Sequence, residues 1–332
     1  MTTDTPERAS RAALAGAFSA IYLVWGSTYL AIKIGIETLP PFGMAGLRFA
    51  TAGCTLYAVL RLAGVPRPRL SEWRGAAWIG VLMLAGGNGL VTRAEAVVPS
   101  WVAAVIIATV PLWMTLLEAW PFRRARLGPR VLIGLALGLG GVVTLVAPSG
   151  DRLTGVDPVG AVLLLVAALS WSTGSLLSRS VALPGHPMMA ASAQMIAGGA
   201  ALLLWGTISG EWAGFDPAAV SARSLAALSY LVTFGSMLAL GCYVWLLRVT
   251  SAAAVSTYAF VNPLVALVLG WAALDESVAP RALVATLLIV SGVAFLQGSR
   301  AMARPALRRL FLRARVTPGG TSGRLARPGS TP

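Results

Sequence analysis

The stretch WGSTYLAIKIGIETLPPFGMAGLR, residues 25–48, has a counterpart in WSTGSLLSRSVALPGHPMMAASAQ, residues 171–194. The two align without a gap. Trp25 and Lys33 recur as Trp171 and Arg179, and Pro41 and Arg48 recur as Pro187 and Gln194. Farther on, Pro111 answers Pro263, Pro129 answers Pro280 and Gly141 answers Gly292, with a small shift of the kind that loop insertions produce. Each match alone is weak in a chain rich in Ala, Gly and Leu, so their shared order carries the inference. Two homologous helix bundles packed about one membrane site are the architecture of secondary transporters. Moving a small molecule is therefore expected, rather than transforming one.

Composition points the same way. Apolar residues make up 57% of the 332 positions and charged residues 11%, where soluble domains carry about a quarter charged. Apolar runs near 14–34, 41–62, 75–92, 98–117 and 131–147 form a first half. Runs near 158–178, 187–206, 225–247, 252–273 and 281–298 form a second. Most are about 17–23 residues, enough to cross the hydrocarbon layer as helices. A soluble protein with buried helices would need polar helix faces that these runs lack. The expected fold is an all-α polytopic membrane protein: ten transmembrane helices as two five-helix repeats. Its parts are a segment 1–13, a repeat 14–147, a linker 148–156, a repeat 157–298 and an Arg-rich tail 299–332. The first run carries Trp25, Tyr29 and Lys33 and lacks a small-residue cleavage site, so it is expected to stay as a helix.

Arginine sets the expected topology. With the N-terminus inside, the cytoplasmic loops hold Arg8, Arg11, Arg61, Arg67, Arg69, Arg74, Arg123, Arg124, Arg126, Arg130, Arg179, Arg248 and the basic tail. The opposite side holds only Arg93, Arg152, Arg223 and Arg281, among several acidic residues. That is a strong positive-inside bias, which places both termini in the cytoplasm. Five crossings per half then force the halves into opposite orientations. The net charge of +14 does not indicate nucleic acid, because the basic residues are spread over membrane-proximal loops and one tail. In the tail, rich in Pro, Gly and Ser and expected to be disordered, Arg308, Arg309, Arg313 and Arg315 flank apolar side chains. They serve either as topology-fixing charge or as a contact for anionic membrane lipids.

Charged and polar residues inside the apolar runs are the candidate pathway. Arg48 follows Pro41 by about 10 Å of helix, deep enough that exposure to lipid is costly. It is expected to face a wet cavity, or to bond a neighbouring helix. Gln194, its counterpart, keeps hydrogen-bonding capacity without charge. Lys33 either snorkels to the headgroups or attracts an anionic or zwitterionic substrate, and Arg179 holds the matching place in the second half. Asn88, beside Gly86, Gly87 and Gly89, is placed for an interhelical or substrate hydrogen bond. Glu95 reads as a solvated loop carboxylate; placed deeper, it would carry a coupling proton or pair with Lys33.

Pro111 and Pro263 each remove a helical hydrogen bond and are expected to kink their helices. Tyr258 and Asn262 lie four apart on the same face as the second kink. With Tyr243 and Trp245 they make an aromatic and polar lining, or else anchor the helices by packing. Gly140, Gly141, Ser291 and Gly292 read as close-packing positions. His186 stands at a helix start beside Pro187 and reads as a loop or cap residue. Cys54 and Cys242 fall inside helices, and no metal-ligand cluster, phosphate-cradling loop or hydrolytic triad appears. No cofactor, metal or enzymatic activity is expected.

The segments at 24–53, 87–113 and 241–276 together resemble the EamA family of the drug/metabolite transporter superfamily, and within it a YedA-like bacterial branch. The resemblance covers roughly residues 14–298. It implies a ten-helix inner-membrane carrier of two inverted repeats, and metabolite or amino acid export, often with proton exchange. Pro111, Pro263 and Glu276 match features of the family; the tail after 299 falls outside it.

Export of a small polar metabolite by alternating access is the leading expectation, with Arg48 and Lys33 favouring a carboxylate and Trp25 and Trp171 flanking the pathway. Uptake of a sugar or organic acid, and a non-transporting membrane scaffold, are the alternatives. The partners expected are the substrate, protons and membrane lipids; a homodimer is left open.

Overall fold

The computed structural model describes residues 10–119, 128–147, 156–250, 255, 257–276, 278 and 280–295. Most of the N-terminal segment 1–13, the basic loop with Arg123, Arg124 and Arg126, nearly all of the 148–156 linker and the 299–332 tail lie outside them. Ten apolar helices follow in order: α1 (Arg11–Gly35), α2 (Pro41–Leu62), α3 (Leu70–Ala94), α4 (Ser100–Ala119), α5 (Pro129–Val146), α6 (Pro158–Leu177), α7 (Pro187–Ile208), α8 (Ala222–Tyr243), α9 (Tyr258–Leu274) and α10 (Pro280–Phe295). The first eight are long and apolar enough to cross a membrane; α9 and α10 are shorter. The chain is an all-α polytopic membrane protein.

Prolines start many of these helices. Pro41, Pro129, Pro158 and Pro187 sit in the first turns of α2, α5, α6 and α7, where the missing N–H would have had no helical partner. Asp157 caps α6 through the Gly160 amide, 2.7 Å away. Large apolar side chains such as Leu62, Trp78, Ile208 and Trp271 point outward, as they must where lipid replaces water.

Inside, small residues let backbones meet, because lipid offers helices no hydrophobic reason to associate. The main seam joins α2 to α7. There a Cβ on Gly199 would lie 2.5 Å from the amide nitrogen of Ala50. Gly292 of α10 presses in the same way on Gly134 and Gly138 of α5. The halves are interleaved: α1 packs on α8 and α9, and α6 packs on α3 and α4.

Contacts gather the α1–α2, α3–α4, α7–α8 and α9–α10 turns at one end, with Glu95, Glu211 and Glu276 among their residues. Glu211, after α7, accepts from the amides of Phe42 and Gly43 at the start of α2, at 2.9 and 3.1 Å. Glu276, after α9, accepts from the amide and hydroxyl of Ser100 at the start of α4, at 2.8 and 2.9 Å. Each carboxylate thereby caps the positive end of a helix dipole. At the opposite, basic end, Arg179 pairs with Glu118 at 3.6 Å, and the Tyr22 and Thr257 hydroxyls are hydrogen-bonded.

Among the described residues, two helices contain π-helical runs. Val81–Gly89 of α3 and Leu231–Leu238 of α8 are π-helical, a wide and strained coil that recurs at functional sites. Pro111 follows a break in α4, whose halves are Ser100–Ile107 and Val110–Ala119. Pro263, by contrast, lies inside an uninterrupted α9.

Candidate functional site

Arg48 is the centre of the polar interior. It is 5% exposed, on the face of α2 that meets α8. Its Nε donates to the hydroxyl of Ser236, 2.9 Å away, and its guanidinium lies over the Phe49 ring at 4.7 Å. The terminal nitrogens make no hydrogen bond among the described residues. Gly235 makes the room for them: a Cβ there would stand 3.1 Å from Nη2. The terminal nitrogens of Arg48 are therefore free to bond water or another acceptor that reaches them.

Glu95 is the second element. It is 0% exposed and neither carboxylate oxygen has a hydrogen-bond partner. The solvated-loop reading is thus corrected: the tight turn between α3 and α4 tucks the carboxylate under Lys33 instead of presenting it to water. Its charge lies within electrostatic reach of Lys33, Arg48 and Glu276. Lys33 does not pair with the carboxylate. Its Nζ donates instead to the backbone carbonyls of Glu95 and Val98, so it neither snorkels freely nor offers its whole charge to a ligand.

Aromatic rings form the third. Trp25 packs on Tyr243 and Tyr258 with centroids 5.2 and 5.0 Å apart, and the two tyrosines are 6.3 Å apart. The Trp25 indole donates to the Gly235 carbonyl at 3.2 Å. Adjacent residues of the π-helical run therefore hold both the aromatic cluster and Arg48. One turn beyond Tyr258, Asn262 is buried with an unpartnered Oδ1.

Other expected residues fall elsewhere. Trp171 of α6 lies against Gly87 of α3, where a Cβ would stand 3.1 Å from its ring; Trp25 meets Gly235 differently, through its indole hydrogen bond. Asn88 is half-buried in the α3 π-helical run. Gln194 is half-buried on α7, its backbone carbonyl against Gly80 of α3. Arg179 is exposed and ion-paired at the basic end. His186 holds the N-cap position of α7 without a side-chain cap bond. Among the described residues, no group of three or more His, Cys, Asp and Glu side chains is placed to hold a metal.

Three further polar or aromatic residues of this interior were hardly marked along the chain. Tyr29 lies within electrostatic reach of both Glu95 and Tyr258; its spacing of four from Trp25 and from Lys33 was the available signal. Ser236 and Trp101, whose buried Nε1 is unpartnered, sit in apolar runs that offer no such mark.

A bundle of apolar, membrane-length helices around a buried cation, a buried carboxylate and an aromatic cluster has the build of a membrane transporter. The chain belongs to the EamA-like transporter family, whose model matches it twice, over residues 12–147 and 158–297. It is 43% identical over 260 residues to the inner membrane transporter YedA of Escherichia coli strain K12, covering 77% of this chain and 81% of that one. It is 25% identical over 284 residues to the transporter YoaV of Bacillus subtilis, covering 82% and 92%. It is 27% identical over 292 residues to a chloroplastic WAT1-related protein of Arabidopsis thaliana, covering 84% and 68%. A solved crystal structure shares the fold at a TM-score of 0.59 and 22% identity, covering 90% of this chain and 99% of that one. The protein is a multi-pass secondary transporter of small molecules in the bacterial inner membrane.

Proposed function

We propose that the protein exports a small carboxylate-bearing metabolite, an amino acid or a related compound, by alternating access. The observation that carries this reading is Arg48: a buried guanidinium whose terminal nitrogens have no acceptor among the described residues. A carboxylate supplies two oxygens in the geometry of that fork, and such charge-assisted bonds are the stronger kind. Glu95, within electrostatic reach of Arg48, would take up a proton from the outer side once the substrate has left and release it when the site faces the cytoplasm again.

The body that moves is read as ten crossings in two inverted five-helix repeats, with both termini cytoplasmic. The doubled family match supports this reading. So do the π-helical runs in α3 and α8 and the Trp–Gly contacts Trp25–Gly235 and Trp171–Gly87. In the described conformation the acidic end is tied by Lys33, Glu211 and Glu276, so alternation requires these ties to part.

The test is counterflow in proteoliposomes with radiolabelled amino acids and organic acids, comparing wild type with Arg48→Ala. Losing two charge-assisted bonds should lower uptake by at least about 100-fold, with folded protein retained by size exclusion and thermal melting. Unchanged flux in Arg48→Ala rejects the site. The sign of net flux against an imposed gradient separates export from nutrient uptake.

A further inference from the structure

We infer that Ser236 is a second, specificity-determining donor to the substrate carboxylate, completing the anion site that Arg48 begins. The inference rests on the carboxylate reading above and adds a residue to it. Ser236 is 4% exposed on the π-helical run of α8. Its oxygen is occupied as an acceptor, taking the Arg48 Nε–H at 2.9 Å. Its own hydroxyl proton is directed to no acceptor among the described residues.

That is unusual for a hydroxyl on a membrane helix. Serines and threonines there normally donate back to a carbonyl three or four residues earlier. Thr92, Ser172 and Thr233 do so in this protein, bonding Asn88, Ala168 and Ser229 carbonyls at 2.9, 2.7 and 2.8 Å. Ser236 does not: its oxygen takes the Arg48 Nε–H, and it donates to no backbone carbonyl among the described residues, although Thr233 in the same π-helical run does. A buried O–H without an acceptor costs free energy, and the cost is recovered when an acceptor arrives.

Arg48 and Ser236 themselves present only donors: two guanidinium amino groups and one hydroxyl. Such a site discriminates a carboxylate from a carboxamide, whose NH₂ would meet donors. It also ties recognition to α8, since Gly235, the preceding residue, holds the Trp25 indole. Ligand binding at Ser236 would therefore be felt on α1 and α2 together.

The experiment uses full-length purified protein in proteoliposomes with radiolabelled alanine, leucine, phenylalanine and glutamate, and their carboxamides as competitors. Ser236→Ala should raise KM about tenfold, the worth of one hydrogen bond to a charged group, with maximal flux retained and a modestly lower melting temperature, because it also removes the acceptor of the Arg48 Nε–H. It should also weaken rejection of the carboxamide, and Ser236→Thr, which keeps the hydroxyl, should restore both. Wild-type KM and selectivity in Ser236→Ala, alongside loss of transport in Arg48→Ala, overturns the role of Ser236 and leaves that of Arg48. Full transport in Arg48→Ala, or no interaction with any carboxylate, overturns the carboxylate reading itself.

Discussion

The ammonium of Lys33 reaches across from α1 to the carbonyl oxygens of Glu95 and Val98, the second at 2.9 Å, and so fastens the α3–α4 turn. Both acceptors belong to a turn whose carbonyls have no helical partner of their own. Lys33→Met should therefore act on stability, costing about 2 kcal/mol or more for the lost charged donor. Thermal melting should fall while KM stays within a few-fold. A large rise in KM at unchanged melting temperature would instead place Lys33 on the substrate.

Gly235 is required by the guanidinium beside it. A Cβ there would stand 3.1 Å from Arg48 Nη2 and 3.2 Å from Thr28 Cγ2. Gly235→Ala should displace Arg48, costing about 1–3 kcal/mol of stability as overpacking does and raising KM disproportionately. Melting and counterflow measured on one preparation separate the two effects; equal and small changes in both would mean that the guanidinium moves aside without consequence.

Glu95→Gln keeps the shape of a carboxylate that has no hydrogen-bond partner on either oxygen and removes its ability to carry a proton. Counterflow at equal pH on both sides should survive. Acceleration by a pH gradient should vanish, which intravesicular pH dyes and radiolabel flux together report. A persisting response would mean that protons travel elsewhere or not at all.

Glu276 and Glu211 cap α4 and α2 through two bonds each. Replacing either by alanine should cost about 1–2 kcal/mol. The double variant should be close to additive, since the two carboxylates share no partner. Melting temperatures of the two single variants and the double variant check this, and strong coupling between them would point to one cooperative latch at the acidic end.

Arg48, Glu95 and Ser236 show how unevenly the site was written in the chain. Arg48 was legible because a charge seven residues into an apolar helix has few tolerable environments. Glu95 was misread because the hydropathy of a turn says nothing about which side chain folds over it. Ser236 was invisible: among many serines in apolar runs, only the π-helical coil and the arrival of Arg48 from α2 single it out.

What the sequence determined alone was the class of solvent, the all-α polytopic build and the doubled family match. Each of these is a sum over about twenty residues of apolar surface, or a recurrence along the chain. Tertiary structure decided the partners: Lys33 on backbone carbonyls, the Glu95 carboxylate without hydrogen bonds, and Trp25 and Arg48 on neighbouring residues of α8. The reason is physical. Helices that are apolar all round carry little record of their rotation, because lipid accepts almost any face. The rotation is set only when small residues such as Gly199 and Gly292 bring specific backbones together, and the polar contacts follow from that packing.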